Sequence, residues 1–145
     1  MAQKENTVVV SVENVYKKLP SLPKGVTDFI VAVTPWLAII FGILGVLGSL
    51  AAFGLSTVAS PFVAIGGGVG MATSLIIASI IGLIESVMMI VAFPSLLKKK
   101  MFGWMLLFWV EVLAVVVGLI NLSLYSIIVA LIWFYFVFQI KSYYK

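Results

Sequence analysis

The sequence has no cysteine and no histidine, and its nine basic residues are all lysine. Without cysteine and histidine there are no disulfides, thiolate nucleophiles or imidazole bases, and the usual zinc, haem and iron–sulfur ligand sets are missing. Without arginine, the planar fork that grips phosphates and carboxylates bidentately is missing too. Charge is scarce, at 10% of the residues, against 63% hydrophobic residues and a mean hydropathy of +1.27. A soluble domain is far more polar than this, so the chain reads as an integral membrane protein. Its net charge of +4 does not call for nucleic acid, because the lysines fall where membrane topology would put them. No cofactor is expected.

What is present is a series of apolar runs. No charged residue occurs from Phe29 to Ile84, and Glu85 and Glu111 are the only ones inside the runs that follow. A hydrocarbon core about 30 Å thick takes about 20 apolar residues per helix, so the chain after Asp28 accommodates four spans. They are expected at about 29–53, 70–93, 102–122 and 124–140. The fold class is therefore an all-α, integral membrane four-helix bundle, with residues 1–24 as an N-terminal segment and 25–145 as the membrane domain. Pro35 either starts the first span, with Thr34 as cap, or kinks a longer helix beginning near Thr27. Pro94 is expected to close the second span. Residues 54–69, with Pro61 and Gly66-Gly67-Gly68, read as a flexible turn or as glycine packing at the head of the second helix, partly dipping into the membrane. No Lys-Ser/Thr pair follows these glycines, which sets aside a phosphate loop.

Small residues mark the packing seams. Ala38, Gly42, Gly45, Ser49 and Ala52 share one stripe of the first span, and Gly82 and Gly118 lie on small-residue faces of the second and third. In lipid, van der Waals packing drives helix association, and small residues let backbones approach. The seam could serve within one chain or in a dimer.

The N-terminal segment is the polar part. Val8, Val12, Val15 and Leu19 recur at helical spacing, which suits either a short amphipathic helix on the membrane surface or an unstructured tail. Orientation follows from the lysines. With four spans, residues 4, 17, 18, 24, 98, 99, 100, 141 and 145 all fall on one side. The bias of positive charge toward the cytoplasm then places both termini there, with Lys98, Lys99 and Lys100 as the decisive loop. Trp36, Trp104, Tyr143 and Tyr144 are expected near that interface.

Glu85 and Glu111 are the candidate site. Counted from a boundary near Phe93 and Phe102, they lie about 12 Å and about 13–14 Å deep on antiparallel neighbours. An acidic side chain at that depth costs a few kcal/mol on insertion scales. Two carboxylates close together in a low dielectric do not both stay ionised. One reading makes the pair a proton or cation site. The other makes it polar glue, hydrogen-bonded to Ser79, Ser86, Asn121 or backbone carbonyls. Met88 and Met89 read as core filling, since no sulfur-rich or imidazole partner exists for a soft metal.

Gly103-Trp104-Met105-Leu106-Leu107-Phe108 after the lysine run, Glu111, and the tail Phe138-Gln139-Ile140-Lys141-Ser142-Tyr143-Tyr144 resemble small uncharacterised four-span bacterial inner-membrane proteins. The resemblance covers the chain from about Leu19 and implies a four-helix fold in the plasma membrane, with no activity attached. Two functions are expected from different classes. The first is a non-enzymatic protein, structural or regulatory within a membrane complex, whose partners are the bilayer and a membrane protein or further copies of itself. The alternative is a small oligomeric transporter or channel using Glu85 and Glu111. An enzyme is not expected, because only these acids and scattered hydroxyls could do chemistry.

Overall fold

The computed structural model describes residues 7–145, so Lys4 lies outside the described residues. The chain is all-α: α1 (Thr7–Tyr16), α2 (Lys24–Gly67), α3 (Val69–Leu97), α4 (Met101–Ile120) and α5 (Leu124–Gln139), then one 3-10 turn at Lys141–Tyr143. The four helices from α2 onward are long and apolar enough to cross a membrane. Helix is the form such stretches must take, because it satisfies every backbone polar group within the segment. The breaks sit where the backbone turns left-handed: Gly68 at φ 84°, Lys99 at φ 50° and Leu122 at φ 49°. Ser123 caps α5, its hydroxyl accepting from the Ser126 N–H at 3.3 Å.

Helix boundaries differ from the sequence-based ones in three places. Residues 54–67 are not a turn; α2 runs through Pro61 to Gly67 and only Gly68 breaks it. Pro35 lies inside α2 and is buried, which realises the longer helix, here starting behind Pro23. Pro94 does not close α3, which continues to Leu97. Each proline removes one hydrogen bond, and the helix continues on either side.

Close packing runs in series, α2 on α3, α3 on α4 and α4 on α5, without a matching contact between α5 and α2. The predicted seam joins α2 to α3. A Cβ at Gly42 would meet the Ser86 carbonyl and the Ile90 amide, each at 3.1 Å, and one at Gly82 would meet Ser49 Oγ at 3.0 Å. Ala38 is buried and Gly45 faces Ser86, whereas Ala52 is exposed, so the seam stops short of it. Gly118 instead packs on α5, where a Cβ would sit 2.8 Å from Ile127. Gly42→Val should therefore destabilise the fold by about 1–3 kcal/mol, since backbone atoms cannot step aside. Thermal unfolding in detergent reads this directly, and an unchanged midpoint would remove Gly42 from the seam.

Counted from the Lys98–Lys100 turn, Ile120 lies level with about residue 78 of α3. The α2–α3 hairpin therefore continues about 14 Å past the α4–α5 turn. Val58, Phe62, Ile65 and Val69 on this arm are 73 to 86% exposed. α2 has 44 residues, about 66 Å at about 1.5 Å per residue. Even tilted by about 40° it rises about 50 Å, well beyond a core of about 30 Å.

The opposite end gathers the lysines. The Lys145 N–H donates to the Lys99 carbonyl at 3.0 Å, and the Met101 N–H to the Lys145 carbonyl at 2.8 Å. Tyr143 Oη donates to Asp28 Oδ1 at 2.6 Å and shares a hydrogen bond with Thr27 Oγ1. Trp104 and Tyr144 at this end are core residues: they are 1% and 2% exposed. The Trp104 indole N–H donates to the Val137 carbonyl at 2.7 Å. With no partner for its hydroxyl among the described residues, Tyr144 is pushed up to about 12 by burial.

α1 is a helix docked on α5, but not through the stripe read from the sequence. Val9, Val12 and Tyr16 face the core, while Val8, Val15 and Leu19 are exposed. The reason is aromatic. Tyr16 stacks on Phe138 at 5.2 Å and on Phe134 at 6.2 Å, and its hydroxyl donates to the Leu131 carbonyl. Burial there raises the Tyr16 hydroxyl above its usual value, with the Glu111 charge adding to it. Lys141 pairs with Glu13 and lies 5.4 Å from the centre of the Trp104 ring. Burial alone would raise the Glu13 carboxyl, but hydrogen bonds and charge from Lys141 and Lys17 outweigh it and hold the carboxyl below its ordinary value. A lowered carboxyl stabilises the docked form above its unfolded value and loses that contribution as pH falls through the lowered one. The protection factors of α1 amides, with the intrinsic pH dependence of exchange divided out, should therefore be high at neutral pH and fall in the acid range below the usual value of 4.5. In Glu13→Gln the acid-dependent change should vanish.

Candidate functional site

Because α5 does not pack on α2, a groove of about 530 Å³ remains between them, floored by α3 and α4. Its walls are mostly hydrocarbon and aromatic, including Phe41, Met89, Trp133 and Phe136. Glu85 enters from α3 and Glu111 from α4, so the two acids share this one groove. Helix geometry explains how. The short turn at Lys98–Lys100 makes α3 and α4 antiparallel, and residues equally far from it lie level. On α4, Leu107, Glu111 and Ala114 line the groove together, following the spacing of three and four that defines a helix face.

Among the described residues, none of the side chains expected as polar-glue partners bonds to Glu85 or Glu111. Ser79 Oγ donates to the Leu75 carbonyl at 2.8 Å and Ser86 Oγ to the Gly82 carbonyl at 2.6 Å. Asn121 Nδ2 donates to the Val117 carbonyl at 2.9 Å. All three bonds reach back one turn within their own helix, which short polar side chains do readily. Glu85 Oε1 is cut off from solvent and has no hydrogen-bond partner among the described residues. A buried polar atom left unpaired costs about 1–3 kcal/mol. Of the few other polar groups in the groove, Thr34 donates to the Ile30 carbonyl and Ser126 is engaged with Ser123. Met89 packs against the core and lines the groove wall.

Sequence reasoning missed two features of the site. The groove itself depends on α5 standing off α2, which no residue pattern signals. Ala130 and Val137 of α5 were unassigned, yet both line the groove while Phe134 and Phe138 turn toward α1. The aromatic residues on α5 at a spacing of four were the available signal.

Fold and site together define a four-helix membrane protein with a lateral, carboxyl-bearing groove. Comparison with family profiles, with curated proteins and with solved structures gives no match.

Proposed function

We propose that this chain is a non-enzymatic membrane protein that takes up a proton or cation at Glu85 and Glu111, as a small oligomeric transporter or channel. One observation carries the reading: two intramembrane acids from neighbouring helices enter one groove, and Glu85 Oε1 there has no partner among the described residues. Intramembrane ionisable groups that face a cavity mark ion and proton paths. Four spans are few for a solitary pathway, so the reading includes at least a homodimer. The lysines gathered at one end support cytoplasmic termini, and the resemblance to bacterial inner-membrane proteins supports a plasma-membrane address.

Proteoliposomes with a pH-sensitive dye inside test it. Wild type should show a proton or cation flux that Glu85→Gln and Glu111→Gln abolish while both variants stay folded. No flux in wild type would end the transport reading.

A second reading, a structural or regulatory subunit of a membrane complex, is favoured by the projecting α2–α3 arm. Its uncharged, exposed surface around Phe62 and Ile65 suits burial against another chain. Ile65→Lys should then shift the particle seen on native gels to a smaller size, and an unchanged particle would argue against this role.

A further inference from the structure

We propose that the α2–α5 groove binds a lipophilic organic cation, an apolar body of drug size whose ammonium N–H groups donate to Glu85 and Glu111. The inference rests on the cation reading above and names its ligand class. Size comes first: about 530 Å³ lies within the range of about 300–1,000 Å³ typical of sites for such molecules.

The lining selects against the other classes. A small inorganic cation must exchange its hydration shell for several oxygen ligands. Beyond the two carboxyls this groove offers only the hydroxyls of Thr34, Ser126 and Tyr125, and the first two are already engaged within the protein. An anion would meet two acids and no lysine. A neutral apolar molecule would leave Glu85 Oε1 buried and unpaired.

An organic ammonium meets both halves of the site. Its charge is spread beside carbon, so it needs few ligands, and its N–H donors make charge-assisted hydrogen bonds to carboxylates. Its body lies against Phe41, Met89 and Val129, with Trp133 and Phe136 able to present ring faces to the positive charge. Access suits a molecule that partitions into lipid, because the opening lies between two apolar helices that do not pack on one another.

The test uses 9-aminoacridine, a fluorescent tricyclic cation, with anthracene as its uncharged counterpart of similar shape. Binding is measured on the full chain in phosphatidylcholine nanodiscs, with empty nanodiscs as background. Wild type should bind 9-aminoacridine saturably. Glu85→Gln and Glu111→Gln should each weaken it by about tenfold or more, the loss of one hydrogen bond to a charged group. Neither substitution should weaken any binding of anthracene. Ala130→Phe, which fills the groove while keeping both acids, should abolish 9-aminoacridine binding, with circular dichroism confirming the helical fold. Equal loss of both dyes in the glutamine variants, or unchanged 9-aminoacridine binding in Ala130→Phe, would overturn the proposal. Absence of saturable 9-aminoacridine binding alongside glutamate-dependent proton or rubidium flux would overturn it too and leave the cation reading standing. Absence of both would remove the two together.

Discussion

Valine at position 103 will break the joint between α3 and α4. Gly103 is buried in the first turn of α4, and a Cβ there would sit 2.8 Å from the Leu96 backbone nitrogen and 3.0 Å from the Ser95 carbonyl carbon. Those are main-chain atoms of a turn held by the Lys100 N–H donating to the Ser95 carbonyl and the Gly103 N–H to the Lys100 carbonyl. They cannot rotate away as a side chain would. Any residue but glycine must lift α4 off α3, and the buried Trp104 next to it moves as well. Overpacking costs about 1–3 kcal/mol when side chains can yield, occasionally more, and here the upper end applies. Gly103→Val should lower the thermal midpoint far more than the same change at Gly48, whose Cβ would meet nothing within 4 Å. Equal shifts at the two sites would show that the joint has room.

Phe108→Ala should be the most damaging truncation of the core. Phe108 is fully buried, and its ring packs edge-on against Trp109, Phe134 and Phe138 and stacks with Trp104 at 5.9 Å. Truncating such a ring leaves a cavity and costs about 3–5 kcal/mol. In lipid the cavity term dominates, because tails are as apolar as the side chain and packing holds the helices together. The loss should spread to α1, whose Tyr16 stacks on the same Phe134 and Phe138. Denaturant unfolding and proteolysis near residue 20 check this together. A stable variant with α1 still protected would mean that Phe108 is not the centre of the cluster.

Both predictions bear on the site. The α3–α4 joint sets Glu85 and Glu111 at one level, and the aromatic cluster orients α5 so that Ala130 and Val137 face the groove. Function and stability therefore share elements, and variants of the carboxyls need fold controls.

Membrane class, four spans and the pairing of the two acids were legible in the chain, each for a physical reason. Apolar runs of about 20 residues match the thickness of a bilayer core. A three-lysine turn too short for anything but an antiparallel neighbour brings equally distant residues level, which is why Glu85 and Glu111 line one groove. The α2–α3 seam was legible as well, since glycine and serine at a spacing of three and four form one face whatever the partner. The ends of α2 and α3 were not legible, because proline and glycine weaken a helix only locally. α2 accordingly continues past Pro61 until Gly68 turns left-handed.

Tertiary structure alone decided the rest. Which face of α1 docks depended on where Tyr16 finds rings to stack on, and these lie more than a hundred residues away. Where Ser79, Ser86 and Asn121 point depended on tertiary structure too, and each turns back to its own helix. The groove exists only because α5 stands away from α2. Periodicity assigns each helix a buried face, but the gap between two faces is set by the packing of all the others.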